Sequence, residues 1–111
     1  RLRVGSAVLM VTQPRMPCYK LALRFDRDDM IKRFLTSQRS GFYFSVVEEG
    51  EVHAGSEVEI MSRDPHRVVV VDIVRLYLRQ AHDPEILHRA MNVSALPQHW
   101  KAELAMRVGY A

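Results

Sequence analysis

The residues with the clearest chemical potential lie in one stretch, Thr12-Gln13-Pro14-Arg15-Met16-Pro17-Cys18-Tyr19-Lys20-Leu21. Cys18 is the only cysteine of the chain. Pro14 and Pro17 stiffen the approach to it, and Arg15, Lys20 and Arg24 place positive charge around it. Only a thiolate ligates metals, and cations beside a cysteine favour that form. A soft, anionic sulfur suits a metal that prefers thiolates. The same cations can hold a phosphate, Arg by a bidentate fork and Lys as a point charge. Gln13 can present its amide to a ligand's hydrogen-bonding edge. Each residue also has a plainer reading. A lone cysteine is commonly a small buried hydrophobe, the cations are solvated surface charges when taken singly, and Gln13 can satisfy loop backbone.

Other reactive types form no pattern. His53, His66, His82, His88 and His99 show no metal-ligand spacing and receive no role. Phe42, Tyr43 and Phe44 read as strand packing, the scattered methionines as core, and Trp100 as the anchor of a final helix.

The chain has 111 residues, 48% of them apolar and 26% charged, which is enough apolar material for one small domain with an appendage. A single cysteine excludes an internal disulfide framework. Apolar runs such as Val68 to Val71 are far too short to span a membrane, and no secretory leader is visible. The expectation is a cytoplasmic protein without membrane contact. A net charge of +3 fits an anionic ligand but demands neither that nor nucleic acid. The start at Arg1 with a strand pattern already running, and no initiator methionine, suggests part of a longer protein.

Elements that would position the cysteine loop follow from periodicity. Leu2 to Thr12 reads as strand interrupted at Gly5-Ser6, apolar on both faces and so interior to a sheet. Pro17 suits a first helical position for a short helix over Tyr19 to Phe25. Asp28 or Asp29 can cap a second helix through Met30, Ile31, Phe34 and Leu35. Gly41 to Val47 reads as strand, Glu48-Glu49-Gly50 as turn, Val52 and Ala54 as a continuation, and Glu57 to Met61 as another strand. Val68 to Val71 predicts a last strand, with helical periodicity beginning at Ile73. Asp83 as cap with Pro84 at the first position starts a helix, and Pro97 opens another that Gly109 can end. Ala7, Leu9, Val11, Phe44, Val46, Val58 and Ile60 are the expected β core. So few strands with two apolar faces need further strands or a second copy of the chain to bury them.

The run VGSAVLMVTQPRMPCYKL (residues 4–21), followed by SGFYFSVVEEGEVHAGSEVEI (residues 40–60) and three helices, resembles the C-terminal half of MOSC-domain proteins, named for the C-terminal domain of molybdenum cofactor sulfurases. Within them it is most similar to the YiiM-like subgroup. The most specific part is Gln13-Pro14-Arg15-x-Pro17-Cys18-x-Lys20-Leu21. The usual N-terminal barrel strands and a Gly-rich loop region are absent from this chain. The resemblance implies a fold that is mostly β with an α tail. Residues 1–67 would be the C-terminal part of the MOSC β-barrel, with a helical insert after the cysteine loop, and residues 68–111 a three-helix (3-alpha) domain.

It further implies an oxidoreductase that binds molybdenum cofactor, a Mo-pyranopterin, and reduces N-hydroxylated compounds such as base analogues. Cys18 would be the catalytic residue and the metal ligand, with Gln13, Arg15, Lys20 and Arg24 binding the cofactor. Electrons would come from a separate reductase, because no flavin, haem or iron–sulfur signature is present. The tail would offer that donor a docking surface, or else cover an open end of the barrel. Two other readings stand beside this one. Cys18 could carry a labile sulfur as a persulfide in a non-catalytic carrier module. The tail could bind nucleic acid, although the last helix carries only Lys101 and Arg107 as cations against Glu103, so no direct nucleic-acid contact is expected. A homodimer is compatible with all of these.

Overall fold

The computed structural model describes residues 1–80 and 83–108. β1 (Leu2–Val4) and β2 (Ala7–Pro14) form an antiparallel hairpin, with Leu2 opposite Leu9 and Val4 opposite Ala7. Its turn is the Gly5-Ser6 interruption, and Gly5 takes a φ of 56° there. β3 (Phe42–Glu48) adds to the free side of β2 and β4 (Val58–Ile60) to the free side of β1, giving the order β3-β2-β1-β4. The one interrupted strand expected over Leu2 to Thr12 is thus two strands, both interior to the sheet.

Cross-strand pairing aligns Ile60, Leu2, Leu9 and Val46 in one row, and Val11 with Phe44 beside it. The row on the opposite face runs Glu59, Arg3, Val8, Glu48. Here the expected β core needs correction. Ala7 is buried and Leu9 and Val11 are half-buried, but Phe44, Val46, Val58 and Ile60 are exposed. The sheet is open, and a barrel interior forms only where a sheet closes on itself. β3 and β4 are both edges, and nothing among the described residues lies over their apolar side chains.

Two short helices, α1 (Tyr19–Phe25) and α2 (Met30–Thr36), are inserted between β2 and β3, and neither contributes a buried side chain. Pro17 stands one residue outside α1, whose N-cap is Cys18. Asp29 occupies the N-cap position of α2, yet its carboxylate does not cap the helix. It takes the fork of Arg27 instead, through two 3.0 Å hydrogen bonds. The segment between β3 and β4 contains no strand, so Val52 and Ala54 do not extend one. It folds back on the β1–β2 turn, where Ser6 N–H donates to the Glu51 carbonyl and Glu51 N–H to the Ser6 hydroxyl.

The tail contains α3 (Val70–Tyr77), α4 (Pro84–Met91) and α5 (Gln98–Val108). The strand expected at Val68 to Val71 does not form. Val69 is extended but serves as the N-cap of α3, and its N–H donates to the Asp72 carboxylate at 3.0 Å. Local β-branching therefore yields to helical burial of Ile73, Val74 and Leu76. Asp83 caps α4 as its sequence indicates, accepting from the Glu85 and Ile86 N–H groups. Gly109 lies outside the described residues.

Ile73, Leu76, Leu87, Ala90, Leu96, Trp100 and Leu104 make the core of the tail. Each fully buried leucine there contributes about 1.5–3 kcal/mol of apolar burial. Trp100 packs 5.5 Å from the Tyr77 ring, and the Arg107 guanidinium lies 3.8 Å over that same ring. Its hydrogen bond to Glu103 holds the Arg107 pKa above its ordinary value. α3 also lies against β2, which joins tail to sheet. No described helix is long and apolar enough to cross a membrane.

Candidate functional site

β2 delivers the chain to the cysteine loop. Pro14, its last residue, is almost completely buried and pairs with Phe42 across the sheet. One residue later, Arg15 N–H donates to the Gly41 carbonyl at 2.9 Å. Gly41 adopts a φ of 88°, a conformation that any residue with a Cβ takes at a cost. Met16 is half-buried and packs against the core of the tail. Pro17 and Cys18 follow, with Cys18 extended (φ −123°, ψ 178°) and its carbonyl accepting from Leu21 N–H at 3.0 Å. The thiol is exposed.

Three of the expected ligand-binding side chains are arranged along this path and one is drawn aside. Gln13 is half-buried on β2, and its amide bonds to no described residue. Lys20 and Arg24 are exposed one helical turn apart, so they share a face of α1. Neither forms an ion pair with a described residue. The Arg15 guanidinium sits 5.4 Å from the centre of the Phe34 ring of α2, within cation–π range.

Charge on the neighbouring insert is organised around Asp29. Arg27 binds its carboxylate bidentately and Arg33 approaches to 3.7 Å. The Arg27 hydrogen bond holds the Asp29 carboxyl below the usual carboxylate range. It likewise raises Arg27 above its ordinary value.

One depression of about 550 Å³ lies on α2, lined by Asp29, Lys32, Arg33, Thr36 and Ser37. Another of about 340 Å³ lies around residues 53–59 and Arg3. Cys18 lines neither. Among the described residues no three His, Cys, Asp or Glu side chains are placed to hold a metal together. His53 and His66 bond to Ser56 and Asp64 within their own turns.

Met16, Gly41 and Phe34 contact this loop in ways that sequence reasoning missed. The dipeptide Ser40-Gly41 before the Phe42 strand was a usable signal for a special backbone at Gly41. No periodicity marks Met16 or Phe34 as a partner of this loop, because both contacts are long-range.

Residues 1–59 match the MOSC domain. The uncharacterized protein YflK of Bacillus subtilis (strain 168) is 35% identical over 100 residues, which cover 90% of this chain and 45% of YflK. Protein YiiM of Escherichia coli (strain K12) is 30% identical over 105 residues, 95% of this chain and 46% of YiiM. The crystal structure of YiiM from Geobacillus stearothermophilus superposes with a TM-score of 0.86 at 27% identity, covering 96% of this chain and 55% of that one. The chain thus spans about half the length of the relatives it matches, including the antiparallel strands, the helical insert and the three-helix tail. A match over more than half of the chain, together with the shared fold, shows that this is a MOSC-domain protein of the YiiM-like group.

Proposed function

We propose that Cys18 supplies a thiolate ligand to the molybdenum of a pyranopterin cofactor, and that the complete protein reduces N-hydroxylated compounds. The carrying observation is the exposed Cys18 thiol at the end of a loop pinned on both sides, by buried Pro14 on the sheet and by Met16 on the tail. The residues present fit the group. An exposed, soft sulfur suits such a metal, and two cations without an ion-pair partner among the described residues follow it on α1.

When bound, the cofactor would supply a two-electron redox centre for removing the N-hydroxyl oxygen. The protein's part is to hold and orient. Cys18 would bind the metal. Lys20 and Arg24 would take the cofactor phosphate, joined by Arg15, whose guanidinium lies 5.4 Å from the centre of the Phe34 ring. The Gln13 amide would meet the pterin edge. Converting N–OH to N–H consumes two electrons and two protons and releases water, so a separate reductase must deliver the electrons. A cytoplasmic setting and a division near residue 67 into barrel part and three-helix part belong to the same reading.

The test is molybdenum and pterin analysis of the full-length protein from a cofactor-competent host, with dithionite-driven reduction of an N-hydroxylated base analogue. Wild type should contain both components and turn over. Cys18→Ser should keep its fold and lose turnover, since a hydroxyl is a hard, weakly acidic ligand. Full activity in the serine variant would sink the thiolate role. Cyanide-releasable sulfur on Cys18 without molybdenum would favour the persulfide carrier instead.

A further inference from the structure

We infer that Met16 is a positioning residue through which the three-helix tail sets the placement of Cys18. This rests on the reading of Cys18 as the ligand-bearing residue. Of the elements around the loop, α1 and α2 bury no side chain completely, and α2 meets the loop through Phe34 against Arg15. The apolar face of the sheet is open at Phe44 and Val46. The tail is the rigid body in reach, with Leu76 and Leu104 fully buried, and Met16 packs against its core. A thioether side chain with three rotatable bonds suits a contact between elements of irregular shape.

The link from Met16 to Cys18 is short and stiff. Pro17 fixes its own φ near −65° and also restricts Met16 to extended backbone. A displacement at Met16 is therefore passed to Cys18 rather than absorbed between them. The Arg15–Gly41 hydrogen bond lies on the other side of Met16 and reports whether the loop is seated. The tail thus acts on the site from beneath the loop, in addition to anything its outer surface does.

Hydrogen exchange and kinetics on the full-length protein separate this from a merely structural role. Met16→Ala should speed exchange at the Arg15 amide by roughly tenfold or more, while amides of α5 keep their protection. With dithionite as reductant its kcat should fall by about tenfold or more at nearly unchanged KM, because misplacing a reacting group costs turnover rather than binding. Met16→Leu, similar in volume, should restore both readouts. Parallel loss of protection in α5 would make Met16 an ordinary core residue and overturn the inference. A loosened loop with undiminished kcat would overturn it as well. If the wild type neither holds molybdenum nor turns over, the proposed function fails, and the exchange comparison alone still decides whether the tail holds the loop.

Discussion

The tail and the sheet use similar side chains and reach opposite states of burial. In the tail, Leu76, Leu87 and Leu104 are sealed among three helices. In the sheet, Val46 and Val58 remain 62% and 63% exposed in rows of otherwise apolar residues. The difference is one of range. Helices joined by short connections close a core from residues near in sequence, whereas a sheet face needs another layer or further strands. The described residues contain nothing that covers it. The cysteine loop sits where these regions meet, with Pro14 on one and Met16 on the other.

The largest expected effect breaks the closed region. Leu104→Ala removes a fully buried side chain from the middle of the tail core, and should cost about 2–5 kcal/mol in urea unfolding followed by helical circular dichroism. A cost well below that would mean the three helices are looser than their burial indicates.

Next comes a constraint on the open region. Gly50 lies so close to the β1–β2 turn that an added Cβ would collide with backbone atoms of Ser6 and Ala7. Backbone cannot step aside as a flexible side chain can. Gly50→Ala should therefore destabilise the chain by about 1–3 kcal/mol, read as a lowered Tm. A neutral outcome would show that the 49–57 segment is not seated on the hairpin.

A smaller effect sharpens the comparison by its smallness. Val46→Ser on the exposed sheet face should change stability by no more than about 0.5 kcal/mol, since little apolar area leaves water there. A cost several times larger, with a dimer in sedimentation velocity, would mean that a second copy covers the face.

These contrasts also explain what could be read from sequence. Asp83 and Pro84 announced α4 because capping is local chemistry. The Gly5-Ser6 interruption was visible too, but it was read as a break within one strand, whereas the chain reverses there and forms two antiparallel strands. Val68 to Val71 misled because β-branching favours strand locally, and only tertiary burial of Ile73 and Val74 reveals the helix. Phe44, Val46, Val58 and Ile60 showed which face is apolar, but apolarity alone does not say what covers a face. Around Cys18 the residue types could be read one by one, and their roles stand as proposals. The loop's contacts could not, since Met16 reaches the tail and Arg15 reaches Phe34 across long sequence separations.

The smallest effect concerns the insert between the two regions. Asp29 is held below the usual carboxylate range chiefly by the Arg27 hydrogen bond, with Arg27 and Arg33 charges assisting against desolvation. The folded chain therefore releases this proton more readily than the unfolded chain. On acidification the unfolded state takes up a proton first, starting near the ordinary value of about 3.9. The pair's contribution is complete above that pH and disappears as pH falls through the lower folded value. Because Arg27 and Asp29 are both about half exposed, water and salt screen the pair and the change should be slight. Side-chain carboxyl NMR titration of Asp29 should show a midpoint below that of an unstructured aspartate, and Arg27→Ala should move it upward. The α2 amide shifts should follow the same titration, and Asp29→Asn should abolish that step while leaving α4 and α5 unaffected. An Asp29 midpoint at the ordinary value would mean that the Arg27 fork is not formed in solution.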